Sequence, residues 1–417
     1  MSLQTDRRQV HGSVSRRGFL QGASALAMAN FSISPALGLQ SSGNGQKMFA
    51  YVGTSTSAGD ASGNGKGIYL FEMDTRTGEL SLVKLAAETD NPSWLALHPS
   101  GQYLYSGHEN AAFEGKSGSV SAYSVDRSNG DLGLLNTVSS QGAGPAHLSV
   151  EATGKFVFVA NYAGGTIAVL PILSGGMLGP AVFTHQDKGS VGSKTPTNAP
   201  PGSFAFSGHD APHAHMIHAD PSNRFVLQTD LGQDRIYVYR LDHASGKLTP
   251  AESSPFVSLP SGDGPRHFAF HPKGSWVYSL QEEASTVVFF HFDPTTGLLT
   301  SEQTLSALPA GFAGTSFGSE IKVSRDGRFL YAANRLHNTI AVFSIASSGR
   351  LNHIGESSTL GDYPRQFNID PSGKFLYVCN QRSDQITSFR IDETTGLLTS
   401  TGHYIPVGSP ACILFTA

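Results

Sequence analysis

Cysteine is nearly absent from this chain: two residues in 417, Cys379 and Cys412. That excludes a disulfide scaffold and any zinc site built on cysteine. Charge is also scarce. Charged side chains make up 14% and the formal net charge is −4, so the basic face that a nucleic-acid binder needs is missing. Hydrophobic residues, at 39%, are too many for a disordered chain. Tryptophan occurs twice and neither copy precedes an aspartate, which removes the WD-repeat scaffold. No stretch after the N-terminal region approaches the roughly 18 apolar residues of a membrane helix. Glycine, in contrast, is abundant. Forty-seven glycines spread along the chain indicate many tight turns.

The first 45 residues read as an address. Residues 15–20 are Ser-Arg-Arg-Gly-Phe-Leu, preceded by Arg7 and Arg8 and followed by a mild apolar run to Ile33. A basic n-region and a short apolar h-region mark a secretion signal rather than a span. The twin arginine matches the bacterial Tat pattern, with Gln21 in place of the usual lysine. The expectation is a Tat-type signal and linker over 1–45, recognition by the Tat export machinery, and a mature protein over 46–417 outside the cytoplasm, with no membrane span.

The remainder repeats. Residues 95–107, 148–160, 216–228, 268–280, 321–333 and 367–379 align without gaps. Each is an apolar strand, a Pro-x-Gly-like turn and a second apolar strand, and the turn residues preset the backbone. A second hairpin follows, often closed by Asp-x-Thr-Thr-Gly, as at 293–297 and 392–396. The turn glycines Gly101, Gly154, Gly274, Gly327 and Gly373 lie 53, 120, 53 and 46 residues apart. The long interval spans two units, with Asn223 at the glycine position. Units of about 50 residues with four strands predict propeller blades. A seventh unit is split: residues 48–87 supply three strands and 409–417 the missing innermost one. The predicted fold is an all-β, seven-bladed propeller of four antiparallel strands per blade. It closes when the C-terminal strand pairs with the N-terminal ones, which removes two open edges. A Gly/Pro/Ser-rich insertion at 185–212 is expected to cap one face.

Alignment also sorts the polar residues. First strands start, and second strands end, on one face of such a ring. Before the first strands stand Ser93, Ala146, His215, Arg266, Ser319 and Arg365, then Trp94, His147, Met216, His267, Glu320 and Gln366. At the second-strand ends stand His108, Asn161, Asp230, Gln281, Asn334 and Asn380, then Glu109, Tyr162, Leu231, Glu282, Arg335 and Gln381. Convergent polar groups at a concave mouth are the expected active site. The asparagines read chiefly as pins to nearby backbone, with Asn334 retained as a contact candidate.

These residues carry a resemblance. Pro-His-Ala-His at 212–215, Gly-Pro-Arg-His at 264–267, residues 319–335, and Tyr-Pro-Arg-Gln at 363–366 resemble the lactonase-type seven-bladed propeller family. That family includes propeller 6-phosphogluconolactonases and is similar to fungal 3-carboxy-cis,cis-muconate lactonizing enzymes. The resemblance covers about residues 48–417. It implies a site of His215 (with His213 beside it), Arg266, Glu282 sixteen residues later, and a second arginine, Arg335, with Arg365 as competitor. It also implies hydrolysis of a sugar lactone.

In that chemistry a carboxylate or imidazole takes a proton from water. Glu282 is the first choice and His215 the second. Arg266 and Arg335 face the charge that develops on the carbonyl oxygen, or else hold a substrate anion. His213, His267, Glu320, Arg365 and Asn334 are the expected substrate contacts. His213 and His215, with His218 or His267 nearby, could ligate a metal, but no three-histidine or carboxylate-rich signature accompanies them. No metal or other cofactor is expected. The partner is a small lactone and the protein a monomer. Two alternatives stay open: a non-enzymatic envelope propeller that binds protein or glycan, and a muconate-type cycloisomerase using the same site.

Overall fold

Each repeat closes into one twisted sheet, and seven such sheets form a ring. The computed structural model describes residues 48–57, 63–205 and 208–416. The twin-arginine segment, and all of 1–45, lie outside the described residues. Blade 1 is the split one. Pro410–Phe415 pairs antiparallel with Met48–Thr54, which continues to Gly67–Met73 and Leu80–Glu88. Blades 2 to 7 begin at Pro92, Pro145, Ala214, Pro265, Phe317 and Pro364 and each run outward in chain order. Blade 4 carries an extra short strand, Phe256–Ser258, beside its third. The one helical turn among the described residues is the 3₁₀ segment Ser174–Gly176.

A propeller sheet is covered on both faces, so its inner strands are apolar on both sides rather than alternating. The core accordingly divides into clusters that each join two adjacent blades. Phe71, Phe375, Tyr377 and Phe415 pack between blades 7 and 1. Phe225, Val277 and Phe290 do so between blades 4 and 5. The closing interface is built like the others.

Polar pegs cross these interfaces. Tyr51, Tyr105, Tyr278, Tyr331 and Tyr377 are fully buried in second strands. Their hydroxyls donate to the carbonyls of Gly130, Gly176, Gly349, Gly396 and Gly78 in the next blade, at 2.7–3.1 Å. Gly78 has φ +79°, and a Cβ there would lie 2.4 Å from Phe375, so only glycine lets the turn sit on the ring. These tyrosines therefore fill the inter-blade core and also lock the ring. Tyr377→Phe, at the closing interface, should cost about 1–2 kcal/mol, because it strands the buried Gly78 carbonyl. Urea unfolding of the variant against the parent measures this.

The insertion starts later than its composition suggested. Phe183–Gln186 is the outer strand of blade 3, with His185 opposite Ile167. From there the described residues follow the rim on the side where first strands start. Gly192 N–H donates to Gly232, Thr197 N–H to the Ser261 carbonyl, and Ser203–Phe204 pairs in parallel with Gly314–Thr315 before blade 6.

Asp187 anchors the insertion's start. It is 2% exposed and accepts from Gln228 Nε2 at 2.8 Å. Its Oδ1 and Asp230 Oδ2 are both buried without a hydrogen-bond donor among the described residues. Burial, and then the adjacent Asp230, push its carboxyl up to about 9, since two such groups cannot both ionise in a dry site. A carboxyl raised in this way binds its proton more tightly in the folded chain. Its stabilising contribution is full below about pH 4 and is lost as pH climbs through about 9. Asp187→Asn should flatten that slope and stabilise the protein at pH 8 by roughly 1–3 kcal/mol. Unfolding at pH 5 and pH 8 tests it.

Candidate active site

One irregularity recurs where the first strand of every blade begins. The ladder slips between Pro92 and Trp94, Pro145 and His147, Ala214 and Met216, Pro265 and His267, Gly318 and Ile321, Pro364 and Gln366, and Pro410 and Cys412. Each slip is a β-bulge, which inserts a residue and re-aims its side chain. The bulged residues include His215, Arg266 and Arg365, with Ser93, Ala146, Ser319 and Ala411 in the other blades. The aligned polar position of the sequence is thus a structural device repeated around the mouth.

Glu282 follows the second strand of blade 5, Trp276–Gln281. Its N–H donates to the Gly264 carbonyl at 2.7 Å, and its carbonyl accepts from Gly318 N–H at 2.8 Å, so its backbone is clamped between blades 5 and 6. Its carboxylate Oε2 lies 2.8 Å from Arg266 Nε and 2.6 Å from Arg335 Nη2. Arg335 also donates to the Gly318 carbonyl at 3.0 Å and to the Tyr363 hydroxyl at 3.2 Å. Arg266 Nη1 contacts the Ser319 carbonyl. Burial, and then Arg335, lower the Arg266 guanidinium to about 10, still charged at neutral pH. Burial opposes the Arg335 charge too, but Glu282 and Tyr363 more than reverse it and raise that group above its usual value.

His215 sits among these cations, 5% exposed. Its ring meets His267 edge-on at 5.0 Å and Tyr162 at 5.3 Å. Its Nδ1 is buried with no hydrogen-bond partner among the described residues. Burial first, then Arg266, His267, Arg365 and Arg335, hold its pKa well below the usual imidazole range. These surroundings favour its uncharged form at neutral pH.

His213 is committed elsewhere. It stacks on Tyr162 at 4.2 Å, with Nδ1 2.9 Å from the Tyr162 carbonyl and Nε2 3.0 Å from Asp210. Of the two histidines, His215 is thus the one set among the cations, while His213 is held against Tyr162. His267 and Glu320 form a layer beneath, at 1% exposure each and 3.2 Å apart. Burial lowers His267 to about 4. Glu320 falls to about 2, because Lys322 and His267 outweigh its burial. With Trp94, 4.5 Å from His147 and 5.2 Å from His267, this layer floors the mouth. A cavity of about 590 Å³ lies below it, walled by Leu97, Val150, Phe270, Val323 and Leu414. The charged cluster and that cavity are on opposite sides of the floor.

Asn334 does not reach the site. It is fully buried, and its amide donates to the Ala307 carbonyl at 2.8 Å and faces Thr339 at 3.3 Å. Asn161 and Asn380 make the equivalent pins. Its expectation as a substrate contact is corrected: the blade needs that amide to tie its strand end to the preceding outer loop. Arg335, rather than Arg365, is the second arginine on Glu282. Arg365 pairs with Glu109 instead, at 2.8 and 3.1 Å.

Three residues at the mouth were not singled out by sequence. Tyr162 and Glu109 occupy the aligned position of Glu282 and Arg335, and that position was the available signal. Tyr363 stands where Gly-Pro occurs in two other blades, and its φ is +63°. A bulky residue held in that region stores strain, and here it delivers the phenol to Arg335. Among the described residues no group of three or more His, Cys, Asp or Glu is arranged to hold a metal ion.

Fold and site together define a class: closed seven-bladed propellers that gather arginine, glutamate and histidine at one end of the central channel. Within it, the chain belongs to the lactonase, 7-bladed beta-propeller family, whose model matches residues 49–415. It is 37% identical over 370 residues to a 6-phosphogluconolactonase of Bacillus subtilis strain 168, covering 88% of this chain and 98% of that one. A 6-phosphogluconolactonase of Formosa agariphila is 32% identical over 84% of this chain and 96% of its own. Among solved structures, a periplasmic gluconolactonase of Pseudomonas aeruginosa superposes with a TM-score of 0.77 at 30% identity, covering 89% of this chain and 99% of that one.

Proposed function

We propose that this protein is a sugar lactonase of the 6-phosphogluconolactonase type, which opens the ring ester of a gluconolactone with water. The observation that carries this is the Arg266–Glu282–Arg335 cluster beside the neutral His215, at one mouth of the channel. Ester hydrolysis needs a base for water and a cation at the nascent oxyanion. Both guanidinium contacts fall on Glu282 Oε2, so Oε1 is the oxygen that takes the water proton. Arg266 stabilises the tetrahedral oxyanion. The proton held by Glu282 Oε1 then passes through His215 to the ring oxygen as the C–O bond breaks, which restores both the carboxylate and the uncharged imidazole. The products are the open hydroxy acid, ionised at neutral pH, and one released proton. Proton release at constant pH from glucono-δ-lactone and its 6-phosphate, above the spontaneous rate, tests the reading. No release from either lactone sinks it.

The twin-arginine address supports export, as does the likeness to a protein described as a periplasmic gluconolactonase. The protein is assigned to the periplasm or beyond through the Tat machinery. Fractionation of cells expressing Arg16→Lys with Arg17→Lys tests this: export at the parental level overturns it. No described helix is long and apolar enough to cross a membrane. The closed ring is expected as a monomer, which light scattering checks.

A further inference from the structure

The pairing of a bulge arginine with a strand-end glutamate occurs twice at the mouth. In blade 5 it is Arg266 with Glu282. The second instance joins Arg365, in the bulge of blade 7, to Glu109, in the second strand of blade 2. Blade 1 lies between them and carries only Ala411 in its bulge, which leaves room for the arginine to reach across. The two partners are 256 residues apart in sequence.

The two pairs differ in ways that matter to a ligand. Glu282 is shared by two guanidiniums and is deeply set, with side-chain exposures of 3% for Arg266 and 10% for Glu282. Among the described residues the Glu109 carboxylate pairs with Arg365 alone, and that pair is more open, at 17% for the arginine and 29% for the glutamate. One nitrogen, Arg365 Nη2, contacts both carboxylate oxygens. Glu109 is the largest influence on the Arg365 guanidinium and raises its pKa. Arg365 still acts on the catalytic cluster, because it helps depress both His215 and Arg266. It therefore faces the same mouth, at its outer and wetter side.

A phosphate monoester brings nearly two negative charges at neutral pH. Its recognition favours an arginine whose donor fork is uncommitted. At this mouth the two buried guanidiniums, Arg266 and Arg335, and the half-buried Arg365 all already face carboxylates. We infer that Glu109 sets the site's charge selectivity: by holding Arg365, it disfavours lactones that carry a phosphate on the far end of the sugar and leaves uncharged lactones as the preferred substrates. This rests on the lactonase reading and names the substrate class of that site.

Gluconate and 6-phosphogluconate differ only in the phosphate and serve as product probes. Titration calorimetry compares them on the parent, Glu109→Gln, and Glu109→Gln with Arg365→Gln, with circular dichroism confirming the fold of each. In parallel, kcat/KM is measured for glucono-δ-lactone and its 6-phosphate. The parent should bind gluconate at least as tightly as 6-phosphogluconate. Glu109→Gln should strengthen 6-phosphogluconate binding about tenfold or more, with gluconate affinity changed less than about threefold. The ratio of kcat/KM values should shift likewise, and Arg365→Gln in the double variant should cancel the gain. A parent that prefers the phosphorylated probe tenfold, or a Glu109→Gln variant that alters both probes alike, overturns the inference. If the parent turns over neither lactone, the hydrolase reading fails while the binding comparison still decides the role of Glu109.

Discussion

Glu282→Gln should lower kcat on gluconolactone by about 10²–10⁴-fold, the range lost when a positioned general base is removed. Glutamine keeps the volume and one carbonyl oxygen, so KM should move far less than kcat. The substitution also has a structural consequence. Oε2 of Glu282 neutralises both Arg266 and Arg335, and without it two buried guanidiniums lose their counter-charge. Breaking a buried pair in this way costs on the order of 3–5 kcal/mol, so the melting temperature should fall as well. Turnover must then be measured well below the variant's transition. A variant that is destabilised but turns over at the parental rate would show that Glu282 holds the arginines together and that the proton goes to His215.

Arg266→Lys should cut kcat/KM about 10²–10³-fold, although the formal charge is kept. Arg266 reaches Glu282 through Nε and the Ser319 carbonyl through Nη1 at once. A single ammonium cannot span both. Its environment also opposes a charge: burial, then Arg335, already bring the guanidinium down to about 10. The same surroundings would carry a lysine, with an ordinary value near 10.4, toward neutrality. A cation with a depressed pKa is charged only below that value. The variant's activity relative to the parent should therefore recover as pH falls from 8 to 6. A ratio that stays flat over that span would place Arg266 outside the charge-stabilising role.

Much of this architecture is written in local pattern. The Pro-x-Gly turns at 99–101 and 371–373 and the apolar strands beside them specify blades, and the split unit at 48–87 and 409–417 specifies closure. Arg266, Glu282 and Arg335 are legible for the same reason. The repeat places each of them at a strand start or strand end, and antiparallel pairing brings those ends to one face. The loci of Glu109 and Tyr162 were legible on that argument as well, but nothing in the pattern said what their side chains would meet. Asn334 shows the limit from the other side. Its position is at the mouth, yet its amide turns into the blade to satisfy a buried carbonyl, and a backbone group left unpaired there would be costly.

The sequence by itself determined the number of blades, their order, the closing strand and the face that holds the ionisable groups, because turn chemistry and strand periodicity act over a few residues. Tertiary structure alone decided which charge meets which. Glu282 took Arg335 rather than Arg365, Arg365 crossed blade 1 to Glu109, and His213 withdrew to Tyr162 while His215 Nδ1 found no partner among the described residues. Those choices depend on bulges that re-aim side chains and on ring curvature that brings distant blades within a few ångströms. Neither is a local property of the chain.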